Sequence, residues 1–286
     1  MINSLVRPAS LDDHQKLSNL IFFESRLHRH LDWRSPLEWL GAPFYWALDD
    51  GHQIVAALAC PIEADRIAWL RLFVHSGGWS ASNAWNVLWQ TAQAEIAQSG
   101  GARVAVIAMQ PWLQQILTAS DFKNIQQIVM LEWHGASQPR AGSEAQAVSI
   151  RRMVEADLPD VARTDAASFD PLWQNSLGTL RRAFAQSLIA TVAESDSGNV
   201  GYQLSTGSGQ RAHLARLAVN ASVQRRGIGR ALLGDLFAKL EEHGIYKLSV
   251  NTQSDNTVSL NLYQKMGFVR TGEQYPVYIY DVPAYP

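Results

Sequence analysis

Residues 219–233 read VNASVQRRGIGRALL. Seven consecutive positions, Gln224 to Arg230, hold three arginines and two glycines, in a chain whose formal net charge is only −2. The run follows an apolar, strand-like stretch (LARLAV) and precedes leucines at helical spacing. The first N–H groups of a helix have no partner inside the helix, and its dipole is positive at that end. Glycines let a backbone approach a ligand closely, and arginines add charge-assisted donors. The stretch therefore reads as strand, anion-binding turn and helix, suited to a phosphate or pyrophosphate. For Arg230 a solvated helix position is an equal reading. A Walker loop is excluded, because no Gly-Lys-Ser/Thr follows. The dinucleotide pattern fails because Leu232 stands where a third glycine is needed.

The chain has 286 residues, 47% hydrophobic and 17% charged, so it is globular. A pI near 6.4 argues against a general nucleic-acid binder. The single cysteine, Cys60, permits no internal disulfide and fits a reducing compartment. The start MINSLVRPAS lacks an apolar signal core, and the apolar runs are short, such as Leu20–Phe23. These features predict a cytoplasmic protein with no membrane partner.

The chain also repeats itself. LVRPASLDD (5–13) resembles SIRRMVEADL (149–158), LRLFVH (70–75) resembles LARLAVN (214–220), and SDF (120–122) resembles MGF (266–268). Val6 and Ile150, Val74 and Val219, and Phe122 and Phe268 lie 144, 145 and 146 positions apart. A nearly constant offset predicts a tandem duplication. The polar segment HGASQPRAGSEAQA suits a linker, giving domains at 1–135 and 148–286 joined by 136–147. Within the second copy, periodicity predicts helices over 158–168, 179–187, 229–243 and 257–265. Strands are predicted over 150–153, 189–194, 200–205, 212–219, 247–250, 268–271 and 277–281. The fold class is α+β, with a mixed sheet in each copy.

The pattern Gln224-Arg225-Arg226-Gly227-Ile228-Gly229, the strand before it, and the later Asn256…Tyr263…Gly267-Phe268 resemble the acyl-CoA site of the GNAT superfamily of N-acetyltransferases. The resemblance covers the second copy, and the two-copy arrangement is similar to mycothiol-synthase-like members. It implies acetyl-CoA as co-substrate and no metal. It also implies a pyrophosphate cradle at Arg225, Arg226, Gly227, Ile228, Gly229 and Arg230, with backbone contacts to the pantetheine arm from Leu217 and Val219. Asn256 would hydrogen-bond the cofactor, and Tyr263 would protonate the leaving thiolate. Where many members carry a basic glutamate this chain has His213, the candidate base; Glu194 and Asp281 are weaker candidates. Ser249 stands where other members place a glutamate on the next strand. Acceptor contacts are expected from 165–180 and 272–280, including Phe169, Trp173, Tyr275 and Tyr278.

The first copy offers Gly77 and Gly78 but no arginine in FVHSGGWSASNAWNVLW (73–89), and Ile116 or Leu117 stands at the tyrosine position. It reads as a degenerate copy. Trp79, Trp85 and Trp89 there form either core or an aromatic pocket. The implied activity is acetyl transfer to a primary amine of a small molecule. A protein N-terminus or lysine as acceptor is the alternative, and a non-catalytic acyl-CoA sensor is the alternative of another class.

Overall fold

The computed structural model describes residues 5–24, 26–135, 148–196 and 198–285; the expected linker, 136–147, lies outside the described residues. The chain divides into two compact units, one of residues 1–126 and 275–286, the other of residues 127–274. No helix among the described residues is long and apolar enough to cross a membrane.

The first unit runs β1 (Leu5–Pro8), α1 (His14–Phe23), β2 (Leu27–Arg29), β3 (Tyr45–Asp49), β4 (Ile54–Ala59), β5 (Ile67–Trp69), β6 (Leu72–His75), α2 (Ala81–Gln98), β7 (Ala102–Ile107) and α3 (Pro111–Ala119). Then β8 (Lys123–His134) leads into the second unit: β9 (Ser149–Arg152), α4 (Leu158–Ser168), α5 (Leu177–Gln186), β10 (Ile189–Ser195), β11 (Gly198–Ser208), β12 (Arg211–Val219), α6 (Ile228–Glu242), β13 (Lys247–Gln253) and α7 (Thr257–Lys265). The last strand is β14 (Val269–Val282).

The duplication is visible in side chains as well as element order. In the first unit Arg7 donates to both carboxylate oxygens of Asp13, at 2.7 and 2.8 Å, and reaches Asp49. In the second unit Arg151 donates to both oxygens of Asp157, each at 2.8 Å, and reaches Glu194. Both aspartates also accept a backbone N–H at the start of the helical turn, from Ser10 and Val154. One device thus ties the first strand, the first helix and a sheet edge in each copy. The Arg7 guanidinium holds the Asp13 carboxyl down at about 2. Its stabilisation is present above the ordinary carboxylate pKa and is lost as pH falls from there through about 2. Asp13→Asn is expected to cost about 1–3 kcal/mol at pH 7, read from urea unfolding, and the gap from wild type to close towards pH 2.

The strand boundaries differ from expectation in one respect with large consequences. β8, expected in the first copy, pairs antiparallel with β13 of the second unit, from Lys247 opposite His134 to Gln253 opposite Ile128. The two expected end strands, 268–271 and 277–281, form the single strand β14, whose Val277–Val282 pairs with Ala102–Ile107 of the first unit. Segment 127–134 therefore belongs with the second unit and segment 275–286 with the first, instead of domains at 1–135 and 148–286. Periodicity fixes which face of a strand is buried, not which strand it pairs with. In a duplicated chain the two choices offer nearly the same partner pattern.

Each unit has its own core. Trp85 and Trp89 are buried in the first, stacked with ring centroids 5.5 Å apart, and Trp79 packs at its margin. They are core residues and not a pocket lining. In the second unit Leu233, Leu236, Phe237 and Leu240 of α6 pack on the sheet. Trp133 of β8 stacks on Phe237 at 4.2 Å.

Candidate active site

The site begins with a split between two parallel strands. β12 pairs with β13 only over Arg211–Leu214, opposite Lys247–Val250. Beyond Leu214 the strands part, and among the described residues Ala215–Val219 have no strand partner on that side, while Arg216–Val219 stay paired to β11 on the other. A register shift at Leu204/Ser205 leaves Ala215 opposite no residue, a bulge that bends the strand. Backbone N–H and C=O groups along such an edge are ready to bind an extended ligand as an added strand.

The edge runs directly into the turn. Asn220 accepts from the Ser222 N–H at 3.1 Å, and the Gln224 amide donates to the Val219 carbonyl at 3.0 Å, folding the loop back on the strand end. Arg225 (φ 62°) and Gly227 (φ 81°) are both left-handed. Gly227 caps α6, whose first-turn N–H groups face outward at the positive end of the dipole. Gln224 to Gly227 and Arg230 are exposed, while Ile228 is buried and anchors the helix start. Gly229 is a close approach: a Cβ there would lie 3.0 Å from Leu262 Cδ2 on α7.

α7 also carries Tyr263, which is buried and packs on Phe268 with ring centroids 5.4 Å apart. Burial pushes its phenol above the ordinary value, and the nearby charge of Arg216 opposes that push. Asn256 caps α7, accepting from the Ser259 N–H at 3.1 Å. The structure thus gathers Leu217, Val219, the 225–230 turn and the α7 residues next to Tyr263.

His213 lies further back, where β12 and β13 are still paired. Its Nδ1 is 2.9 Å from Ser249 Oγ, and burial lowers its pKa below the ordinary 6.5. The two weaker base candidates are engaged elsewhere. The Glu194 carboxylate is held ionised by Arg151, and Asp281 by Arg103 at 2.7 Å in the first unit. Tyr278, expected near the acceptor, is buried in the first unit's core.

One further group lies beside the site, outside the residues expected there. Arg216 follows the bulge, on the sheet face opposite α6, and bonds to Asp165, which is fully buried on α4. Its signal was available: an arginine inside an apolar strand must find a buried partner.

In the first unit the corresponding split is filled. β5 pairs in parallel with β7, and β6 beyond it should present the open edge. Instead β2 lies along it, with Leu27, His28 and Arg29 opposite Val74, Phe73 and Leu72. His28 is buried and its Nε2 lies 3.1 Å from the Leu70 carbonyl. The chain itself occupies the edge that is left free in the second unit.

Comparison with known proteins agrees with this geometry. Residues 153–268 match the model of the acetyltransferase (GNAT) family. Over 57 residues the chain is 39% identical to the ribosomal protein bS18 alanine N-acetyltransferase of Escherichia coli K12, a match covering 20% of this chain and 38% of that protein. Two solved structures are similar over nearly the whole chain. A GCN5-related N-acetyltransferase from Sphaerobacter thermophilus has TM-score 0.65 at 14% identity, covering 99% of this chain and 97% of its own. A tandem GNAT protein from the clavulanic acid biosynthesis pathway has TM-score 0.64 at 13% identity, covering 99% and 100%. The split strands, the glycine-arginine turn and these matches identify a GNAT-family domain at residues 153–268, within the two-copy fold of tandem GNAT proteins.

Proposed function

We propose that the chain is an acyl-CoA-dependent N-acetyltransferase with one active site, in the second unit, transferring acetyl from acetyl-CoA directly to a primary amine of a small molecule. The observation that carries this reading is the unpaired edge Ala215–Val219 running into the turn at Gln224–Arg230. The residues present fit the co-substrate: Gly227 and Gly229 keep side chains out of the turn, and Arg225, Arg226 and Arg230 supply positive charge around it.

Acetyl-CoA, when bound, supplies the thioester whose carbonyl the amine attacks. Backbone N–H groups on the edge at Leu217–Val219 would donate to the carbonyl oxygen as its charge grows. The Tyr263 phenol, kept protonated by burial, would give its proton to the departing thiolate. His213 would take the proton from the ammonium. With Nδ1 engaged by Ser249, its Nε2 is the atom available for this, directly or through water. Asn256 holds the start of α7 and so the position of Tyr263.

Thiol release measured with acetyl-CoA and a panel of primary amines tests the reading; binding without any turnover would overturn it in favour of a non-catalytic acyl-CoA binder. A peptide beginning with alanine belongs in the panel. The likeness of one segment to a ribosomal-protein alanine acetyltransferase favours a protein N-terminus as the second reading. The rate is expected to fall on acidification with a limb below pH 6.5, because burial lowers His213. His213→Ala is expected to abolish that limb and cut kcat about 10²-fold. An unchanged limb would remove His213 from the role of base.

A further inference from the structure

Arg216 makes more contacts than an ion pair requires. Its Nε and Nη2 donate to Asp165 at 2.8 and 2.9 Å. Nη2 also donates to the Trp173 carbonyl at 2.6 Å, and the guanidinium lies 3.5 Å over the Phe169 ring. Asp165 in turn accepts from the Asn175 N–H at 2.8 Å and from the Tyr202 hydroxyl. Close by, Ser168 Oγ donates to the Val219 carbonyl at 3.1 Å. The segment leaving α4, Phe169 to Asn175, is thus tied at several points to β12, beside the open edge.

The first copy shows what kind of role this is. Arg71 occupies the position equivalent to Arg216, and it pairs with Asp32 at 3.0 Å and with Glu63. That copy has lost the arginines of the turn but keeps this one. The position therefore does not serve the pyrophosphate. In the first copy it grips the segment that carries β2 into the edge; in the second it grips a segment that stays beside the edge.

We infer that Arg216 is a positioning residue that clamps Phe169–Asn175 against β12 and so fixes one wall of the acceptor channel, without contacting the cofactor. The acceptor role of that wall rests on the acetyltransfer reading above. Asp165 balances the guanidinium charge, so the clamp presents no net positive charge to an incoming ammonium. Only a planar fork can satisfy Asp165 and the Trp173 carbonyl while stacking on Phe169. Lysine keeps the charge but cannot make this set of contacts.

Arg216→Lys in the full chain is the deciding variant, because Arg216→Met leaves Asp165 buried without its counter-charge and can unfold the unit. Hydrogen exchange of residues 169–175 is expected to speed up about tenfold in Arg216→Lys, with exchange in α6 unchanged. Calorimetric affinity for acetyl-CoA is expected to stay within about twofold, while KM for the amine turned over by wild type rises about tenfold and kcat holds within about threefold. Unchanged exchange at 169–175, or weakened acetyl-CoA binding with an unchanged amine KM, would overturn the inference. If the wild type turns over no amine, the acetyltransfer reading fails, and the exchange measurement alone decides whether the clamp exists.

Discussion

Tyr263→Phe is expected to lower kcat for acetyl transfer by about 10²- to 10⁴-fold, with acetyl-CoA affinity unchanged within about twofold. Phenylalanine keeps the ring that packs on Phe268 and fills the same space beside Leu262, so the cradle and the helix α7 should stand. What is lost is one proton donor. Burial holds the phenol protonated well beyond neutral pH, so wild type should show no alkaline limb from this group in the ordinary assay range. A thiolate leaving without a proton is the poorer leaving group, and the loss should be confined to turnover. Rates measured at saturating acetyl-CoA, beside the calorimetric affinity of the same variant, separate the two. Equal kcat in wild type and Tyr263→Phe would mean that the phenol is a packing group.

Gly227→Val is expected to weaken acetyl-CoA binding by about 10²-fold or more. Gly227 has φ 81°, a backbone region in which a β-branched residue is strained, and it sets the direction of the first N–H groups of α6. Turning even two charge-assisted hydrogen bonds away from a pyrophosphate accounts for that loss at about 1.5–3 kcal/mol each. Gly78 of the first copy is the control. Its φ is not in the left-handed region, and a Cβ there meets open space, so Gly78→Ala should leave binding unchanged. The wild-type titration should also read one acetyl-CoA per chain, because β2 fills the edge in the first unit. Two equivalent sites would contradict that.

Much of the second copy was legible in sequence. Helix α7 spans the residues predicted for it, and so does α4; the turn at Gln224–Gly229 is built as its glycines require. These are local properties, set by leucine spacing, caps and positive φ, and they need no knowledge of the rest of the chain. That Arg216, inside an apolar strand, needs a buried partner is legible; that the partner is Asp165 is not, since it lies 51 positions away and neither residue belongs to a recognisable motif. Glu194 looked like a base because it ends a strand; only the fold puts Arg151 beside it.

That one domain was duplicated, that the second copy carries the glycine-arginine turn and that the first lost it can all be read without the fold. Those facts are written in residue identity and spacing. Tertiary structure was needed to show that β8 pairs with β13 and β14 with β7, because a strand's own residues do not name its neighbour. It alone decided that β12 parts from β13 after Leu214, and that the matching edge of the first copy is closed by Leu27–Arg29. A strand edge is free or filled according to what lies beside it in space, and no local spacing records that.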